Sequence, residues 1–126
     1  MISYTTVGTR DLERASKFYD ELFAVIGAKR MMDMPRGAMW GTGDLSQPGF
    51  AVMLPFDGEP ATVGNGVMVA INAGSPENVA KLHAKALELG GTDEGEPGPR
   101  AEGMAYCGYF RDMDGNKLNA FCFAQT

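Results

Sequence analysis

The stretch that decides the fold is residues 11–28, DLERASKFYDELFAVIGA, because a second stretch with the same pattern follows it. Residues 75–92, SPENVAKLHAKALELGGT, align with it without a gap at an offset of 64 residues, position 75 matching position 11. In both stretches the apolar residues recur on one face of an amphipathic helix. The pattern predicts two copies of one structural unit, each built around a helix.

The alignment also contains identical residues and one pair that bears on function. The identical pairs are Glu13 with Glu77, Lys17 with Lys81, and Gly27 with Gly91. A glycine after the last apolar position of each copy indicates where the helix stops. At the same offset, Tyr4 pairs with Met68 in the strands that are expected to precede the helices.

The chain has 126 residues, enough for one domain or two small modules, and a formal net charge of −5. An acidic chain lacks the basic face needed to bind nucleic acid or an anionic membrane. No apolar run is long enough to span a bilayer, and the first residues do not resemble a signal peptide. We therefore expect a cytoplasmic protein with no nucleic-acid or membrane partner.

Short β-prone stretches surround both helices. The first module, about 1–56, is predicted to contain a strand over 2–8, a helix from Asp11 to about Ile26, and strands over 28–34, 37–42 and 49–54. Residues 57–66 are rich in Gly and Pro and indicate a connector.

The second module, about 67–126, repeats this order. It is predicted to contain a strand over 67–72, a helix capped by Ser75, a weakly marked strand near 91–95, a Gly/Pro loop over 96–103, and a hairpin of 104–111 and 117–123. The fold class is therefore α+β: two tandem βαβββ modules that form a curved, cup-like mixed sheet with helices on the outside.

The two cysteines and the many methionines each allow two interpretations. Cys107 and Cys122 are conceivable as a bridge across one hairpin, but we favour two buried, reduced thiols because we expect a cytoplasmic protein. Four of the nine methionines fall within residues 31–39. They suit either an adaptable apolar binding wall or ordinary core packing.

The order and spacing of these segments resemble the vicinal oxygen chelate superfamily, which includes glyoxalase I, extradiol dioxygenases and bleomycin resistance proteins. The resemblance covers nearly the whole chain and is carried by DLERASKFYDELF, PFDGEPATVGNG, LHAKALELGGT and YFRDMDGNKLNAF. It implies a small-molecule site between two modules. Fold alone does not settle the chemistry of such a site.

Metal-using members of this superfamily take ligands, typically two His and one Glu, from the first and last strands of the modules. Those positions fall here on Tyr4, Met68, Asn119, and Val52 or a neighbour. Zn²⁺ and similar ions require imidazole, carboxylate or thiolate ligands, so this set predicts that the metal site has been lost. We accordingly expect neither a metal nor another cofactor.

Strand alternation places Met68, Asn119 and Phe121 on the cavity side, while Val67, Val69 and Ile71 pack on the helices. The expected ligand-binding residues are Tyr4, Trp40, Met68, Asn119 and Phe121. They would bind an apolar or aromatic molecule. The alternative is a cup that these side chains fill completely, and Trp40 equally suits a core position.

His83 and the acidic turn over 112–116 are two further candidate sites, and we expect both to have structural roles. His83, the single histidine, lies on the apolar stripe of its helix and is expected to be packed rather than catalytic. The acidic turn over 112–116 lacks the remaining ligands of a calcium loop, so it is expected to be a hairpin turn stabilised by Asp and Asn side chains.

Three functions stay open. The first is a metal-independent small-molecule-binding protein of the bleomycin-resistance type. The second is a glyoxalase-related lyase or isomerase, with Tyr4 as the weak candidate for its acid or base together with Asn119, or with a metal site completed by a partner chain. The third is a homodimeric interaction module, since relatives often form dimers.

Overall fold

Eight strands, two α-helices and one short 3₁₀ turn make up residues 1–124, the part of the chain that the computed structural model describes. In chain order the first unit has β1 (Tyr4–Gly8), α1 (Leu12–Ala24), β2 (Lys29–Met34), β3 (Gly37–Gly41) and β4 (Gly49–Met53). The second has β5 (Val69–Asn72), α2 (Pro76–Glu88), β6 (Thr92–Arg100), β7 (Ala105–Arg111) and β8 (Lys117–Phe123), with the 3₁₀ turn Ala101–Gly103 between β6 and β7.

Contacts within the chain define two compact units, Met1–Gly64 and a second that begins at Asn65. Each unit contains one four-stranded sheet, with the strand orders β1-β4-β3-β2 and β5-β8-β7-β6. In both sheets the first strand runs parallel to the last, and the other neighbours are antiparallel. The predicted α+β class and the repeated βαβββ order are confirmed. Neither helix of residues 1–124 is long and apolar enough to cross a membrane.

The two helices preserve the offset seen in the sequence, since both ends of α2 lie 64 positions after those of α1. Each begins with a side-chain cap. The carboxylate of Asp11 accepts from the backbone N–H of Arg14, and the hydroxyl of Ser75 accepts from that of Asn78, both at 3.1 Å. Such caps satisfy N–H groups that the first turn of a helix leaves unpaired.

The glycines that end the helices differ from the alignment. Gly27 ends the turn after α1 with φ +75°, but its counterpart in conformation is Gly90, with φ +103°, and not the aligned Gly91. Gly91 instead donates its N–H to the carbonyl of Ala86, as Ala28 donates to that of Phe23. The second unit therefore leaves its helix one residue earlier, and the identity of Gly27 with Gly91 does not reflect a shared role.

Each helix covers one face of its own sheet. In the first unit Tyr19 of α1 is fully buried, with ring centroids 4.9 Å from Phe50 and 5.8 Å from Trp40. In the second unit α2 packs on β6, β7 and β8 through buried residues that include Leu82 and His83. These aromatic and aliphatic contacts supply the cores that hold the two sheets in place.

Residues 96–100, which the sequence predicts to be a loop, belong to β6. This part of the prediction is wrong because β6 is an edge strand, where prolines are tolerated. Pro99 pairs with Tyr106 of β7, and the register shifts near Gly95 and Gly98. The bulges let a strand with irregular sequence keep pairing on one side.

Candidate functional site

The sheet of the first unit has two faces of different character. Trp40, Phe50 and Val52 lie on the face that α1 covers, which we call the helix face. The other face, which we call the opposite face, carries Tyr4 of β1 and Met39 of β3. On β4 the opposite face is formed by Gly49, Ala51 and Met53, since Val52 pairs with Val7 and Ala38 on the helix face. Thr6 lies 64 positions before Ala70 and pairs with Ala51 as Ala70 pairs with Asn119. Of Val52 and its neighbours, Ala51 therefore occupies the position equivalent to Asn119, which the resemblance associates with a metal ligand.

A depression of about 470 Å³ opens on this part of the first unit. The residues that give it its chemistry are Tyr4, Met34, Arg36, Met39, Met53 and Phe56. Thioethers and aromatic rings make an adaptable apolar surface, while the phenol and the guanidinium provide directional polar groups. A smaller depression of about 200 Å³ shares Tyr4 and Met39.

Glycines allow the methionines to lie flat on the sheet. A Cβ atom at Gly37 would lie 2.2 Å from the sulfur of Met53, and one at Gly49 would lie 2.8 Å from that of Met39. The strands therefore offer space where the thioethers rest, and the methionines form part of the surface of the depression.

The opposite face of the second unit is built by the same strand pairing. Ala70 pairs with Asn119, and Asn119 pairs with Tyr109 on the other side. Phe121 is half-buried on this face, and its ring centroid lies 4.9 Å from that of Phe123, which is 74% exposed. The predicted orientation of Val69 and Ile71 is confirmed, since they pair with the buried Leu118 and Ala120 on the helix face. Val67 precedes β5 and is exposed, so its predicted packing on the helices is wrong.

Asn119 is the most unusual residue of this face. Its side chain is buried, with 4% of the residue exposed, and its Oδ1 atom has no hydrogen-bond partner among residues 1–124. A buried acceptor without a donor costs roughly 1–3 kcal/mol. An amide oxygen in this condition is suited to accept a hydrogen bond from a bound molecule.

Tyr109, whose orientation the sequence does not decide, lies on the same face as Asn119. Burial, followed by a hydrogen bond with the Cys107 thiol, raises the pKa of its phenol above the ordinary value. The Lys117 ammonium and the Arg100 guanidinium each lie 5.5 Å from the centre of its ring. Tyr109 is thus a neutral phenol held beside two cations at neutral pH.

The positions that the resemblance associates with a metal do not offer suitable ligands. The first unit presents the phenol of Tyr4, 56% exposed, and the methyl group of Ala51. At the corresponding positions of the second unit stand Met68, which precedes β5 and is 41% exposed, and the amide of Asn119. No three His, Cys, Asp or Glu side chains within residues 1–124 are grouped so that they could hold an ion. A divalent ion therefore does not fit the residues present, because these donors are too few and too weak.

Trp40 and His83 lie in the cores of their units. Trp40 is 1% exposed, and its indole N–H donates to the Oδ1 atom of Asp20 at 2.9 Å. His83 is 5% exposed, and its Nε2 atom lies 2.9 Å from the Oδ1 atom of Asp93. The backbone N–H of Gly95 and then His83 hold the pKa of Asp93 below its ordinary value. Since Trp40 faces α1, its side chain does not lie with Met34, Met39 and Met53 in the depression of about 470 Å³.

The cysteines and the acidic turn have structural roles. Cys107 and Cys122 are both free and buried. Cys107 pairs with Phe121 and Cys122 with Tyr106, so the thiols lie on opposite faces of the sheet and the conceivable bridge is excluded. In the turn, the carboxylate of Asp112 accepts from the backbone N–H groups of Asp114 and Asn116, both at 2.9 Å. This confirms the predicted hairpin turn.

Besides Met53 of β4, sequence reasoning missed two of the residues that give the depression its chemistry, Arg36 and Phe56. Both lie in connections between the predicted strands, where a side chain has no predictable face. Their proximity, with the Arg36 guanidinium 5.1 Å from the centre of the Phe56 ring, depends on the path of the chain after β4. The signal available was chemical: Arg36 stands between Met34 and Met39 in the sequence.

Comparisons with known proteins agree with this architecture. The sequence model of the Glyoxalase/Bleomycin resistance protein/Dioxygenase superfamily matches residues 1–120. A glyoxalase/bleomycin resistance protein from Albidiferax ferrireducens T118 is 36% identical, with a TM-score of 0.87 over 96% of this chain and 97% of that one. No curated protein sequence matches significantly.

More distant structures share the fold alone. A glyoxalase-related enzyme from Fulvimarina pelagi is 23% identical, with a TM-score of 0.73 over 96% of this chain and 86% of that one. An E144Q mutant of glyoxalase I from Zea mays is 24% identical, with a TM-score of 0.75 over 98% of this chain but 46% of that one. With the family model matching almost the whole chain and a 36% identical structure matching from end to end, the protein belongs to the glyoxalase/bleomycin resistance protein/dioxygenase superfamily.

Proposed function

We propose that this protein binds a small apolar or aromatic molecule without the help of a metal ion. The observation that carries the proposal is the methionine-lined depression of about 470 Å³ beside Tyr4. A volume of this size lies within the range of ordinary ligand sites, which are mostly apolar with a few orienting polar groups. Membership of a family that includes small-molecule-binding proteins supports the proposal.

Tyr4 is proposed as the orienting hydrogen-bond group of this surface. It lies at the meeting point of the two depressions, and its side chain is 56% exposed, so its hydroxyl can reach a bound molecule. In the second unit, we propose that Met68, Asn119 and Phe121 contact a small molecule on the opposite face of that unit's own sheet. The unpartnered Oδ1 atom of Asn119 supports this, because a ligand donor would remove the cost of its burial.

The donor chemistry of Tyr4, Ala51, Met68 and Asn119 supports metal independence. Equilibrium dialysis against Zn²⁺, Ni²⁺ and Mn²⁺, followed by metal analysis, tests it directly. We expect no stoichiometric retention of any of these ions. Tight retention of one ion per chain would refute metal-independent binding.

Ligand binding is best tested through the methionines themselves. With isotope-labelled methionine methyl groups assigned by single Met→Leu substitutions, NMR titration with indole and para-cresol should shift the signals of Met34, Met39 and Met53. Met113, which contacts Gly90 in the second unit, should not move. Uniform small shifts of all nine methionines, or no shifts, would contradict a site on this surface.

A steric variant provides the matched control. Thr6 lies in the depression and is exposed, so Thr6→Phe should fill the site and abolish the shifts. Thr62→Phe places the same ring on the exposed connector and should leave binding unchanged. Equal binding by both variants would show that the compounds bind elsewhere.

A further inference from the structure

Arg36 is the one charged side chain in the lining of the 470 Å³ depression, all of which lies in the described part of the chain. It is half-buried in the turn between β2 and β3. The protein has a net charge of −5, but the lining of the depression contains a cation and no carboxylate. The charge of the depression is therefore opposite to that of the protein as a whole.

The guanidinium of Arg36 is held in a defined orientation. Its Nη1–H donates to the carbonyl of Leu54 at 2.9 Å, and the backbone N–H of Leu54 donates back to the carbonyl of Arg36 at 2.7 Å. The guanidinium also lies over the ring of Phe56, at 5.1 Å from its centre. One edge of the planar group is thereby fixed, so little freedom remains to be lost when its other N–H groups bind a ligand.

No protein carboxylate neutralises this cation. Arg36 forms no ion pair with any residue within 1–124, whereas Arg30 pairs with Asp20 and Asp33, and Arg111 pairs with Glu94. Asp57 follows Phe56 in the chain, but its carboxylate accepts from the backbone N–H of Glu59 at 2.9 Å. A partly buried guanidinium with unused donors is suited to bind a carboxylate in a bidentate manner.

Phe56 adds an apolar component beside the cation. Phe56 is 89% exposed, which is unusual for a large apolar residue, and its ring lies against the Arg36 guanidinium. A ligand that combines an anionic head with an aromatic or aliphatic body would cover Phe56 and the methionine thioethers while its head meets Arg36.

From this arrangement we infer that the ligand is an apolar carboxylate, with Arg36 as the group that selects for its negative charge. The inference rests on the proposed function, since it names the ligand class of the same site. A charge-assisted hydrogen bond between the carboxylate and Arg36 would stabilise the complex more than a hydrogen bond between neutral groups.

The test compares a carboxylate with its neutral isostere. Hydrocinnamate and hydrocinnamamide differ only in the charged group, so their affinities, measured by the same methionine NMR titration, isolate the contribution of that charge. We expect hydrocinnamate to bind at least about tenfold more tightly. Arg36→Gln should reduce its affinity to that of the amide while leaving the amide unchanged.

Two controls accompany the variant. Arg14→Gln removes the same charge from an exposed position on α1 and should not alter the ratio of the two affinities. Arg36→Lys retains the charge without the planar fork and should give an intermediate ratio. Thermal unfolding of each variant verifies that the fold is preserved.

The outcomes separate the two proposals. If indole and para-cresol bind at the methionines but hydrocinnamate and its amide bind equally, the inference about charge is wrong and the proposed function stands. A preference for hydrocinnamate that survives Arg36→Gln also overturns the role of Arg36. If none of the four compounds binds, both proposals fail.

Discussion

Asp20 of α1 and Trp40 of β3 are joined by a hydrogen bond in which the buried indole N–H donates to the carboxylate at 2.9 Å. Asp20 also pairs with Arg30, whose guanidinium lies 5.5 Å from the centre of the Trp40 ring. The helix and the sheet of the first unit are thus connected by a polar contact at the edge of an aromatic core.

Asp20→Ala should lower the free energy of unfolding by about 1–3 kcal/mol, because it leaves the indole N–H without a partner. Denaturant unfolding monitored by fluorescence is suitable, since Trp40 is the single tryptophan. Asp33→Ala removes another carboxylate bound to Arg30, but one that is 73% exposed, and should cost less than about 1 kcal/mol. Equal losses in the two variants would contradict a specific role for the indole bond.

Gly91→Ala should destabilise the second unit. A Cβ atom there would lie 2.7 Å from the carbonyl oxygen of Arg111 and 2.8 Å from that of Ala86, and backbone atoms cannot easily move away. We expect a loss of about 1–3 kcal/mol, measured by denaturant unfolding. Gly41→Ala is the control, since its new methyl would meet only Met31, at 3.5 Å. If Gly91→Ala were as stable as Gly41→Ala, the backbone of the turn after α2 would be able to accommodate the methyl group without loss of stability.

The two buried asparagines of the second unit should respond in opposite ways to leucine. In Asn119→Leu an unpartnered oxygen is removed, so the free energy of unfolding should stay the same or rise. In Asn116→Leu the bond from Nδ2 to the carboxylate of Asp112, 2.9 Å long, is lost, and the stability should fall by about 1–3 kcal/mol. Thermal and denaturant unfolding measure both. A large loss in Asn119→Leu would mean that its amide is satisfied in the free protein.

Asp93 should make the protein sensitive to acid. Because its pKa is lowered in the folded state, its carboxylate stabilises the fold above the unfolded pKa, and this contribution disappears as the pH falls through the folded pKa. Below about pH 4 the wild type should therefore lose stability, and Asp93→Asn should lose less over the same range.

A double-mutant cycle separates the two groups that lower the pKa of Asp93. In a His83→Gln background the effect of Asp93→Asn should become smaller but should not vanish, since the N–H of Gly95 still donates at 2.9 Å. The measurement is the denaturant midpoint of unfolding at a series of pH values that spans the titration of carboxylates. Identical pH profiles for wild type and Asp93→Asn would contradict the prediction.

The helices and the two faces of β5 could be predicted from sequence because local periodicity determines them. The stripe of α1 and the alternation of Val69 and Ile71 with Ala70 are properties of neighbouring residues. Only the start of β6, near 91–95, could be predicted. The rest of the strand could not, since its pairing comes from β7 and prevails over the poor strand propensity of residues 96–100.

The candidate site was only partly predictable. Tyr4, Met68 and Asn119, which stand where the resemblance places metal ligands, can be read from the chain once the family is known, and Ala51 follows from strand pairing. The isolation of the Asn119 oxygen and the stacking of Arg36 on Phe56 depend on which groups happen to lie nearby in three dimensions. Periodicity contains no information of that kind, and this is why Trp40 could not be assigned to the core in advance.

The irregular edge strand β6 limits strand pairing between molecules at high protein concentration. Pro97 and Pro99 lack amide hydrogens, and the register shifts near Gly95 and Gly98 twist the strand, so its free side offers an interrupted row of donors. A foreign strand cannot use such an edge as a template for continuous pairing. Residues 96–100, which the sequence does not mark as a strand, thereby make this edge of the sheet a poor starting point for amyloid-like growth.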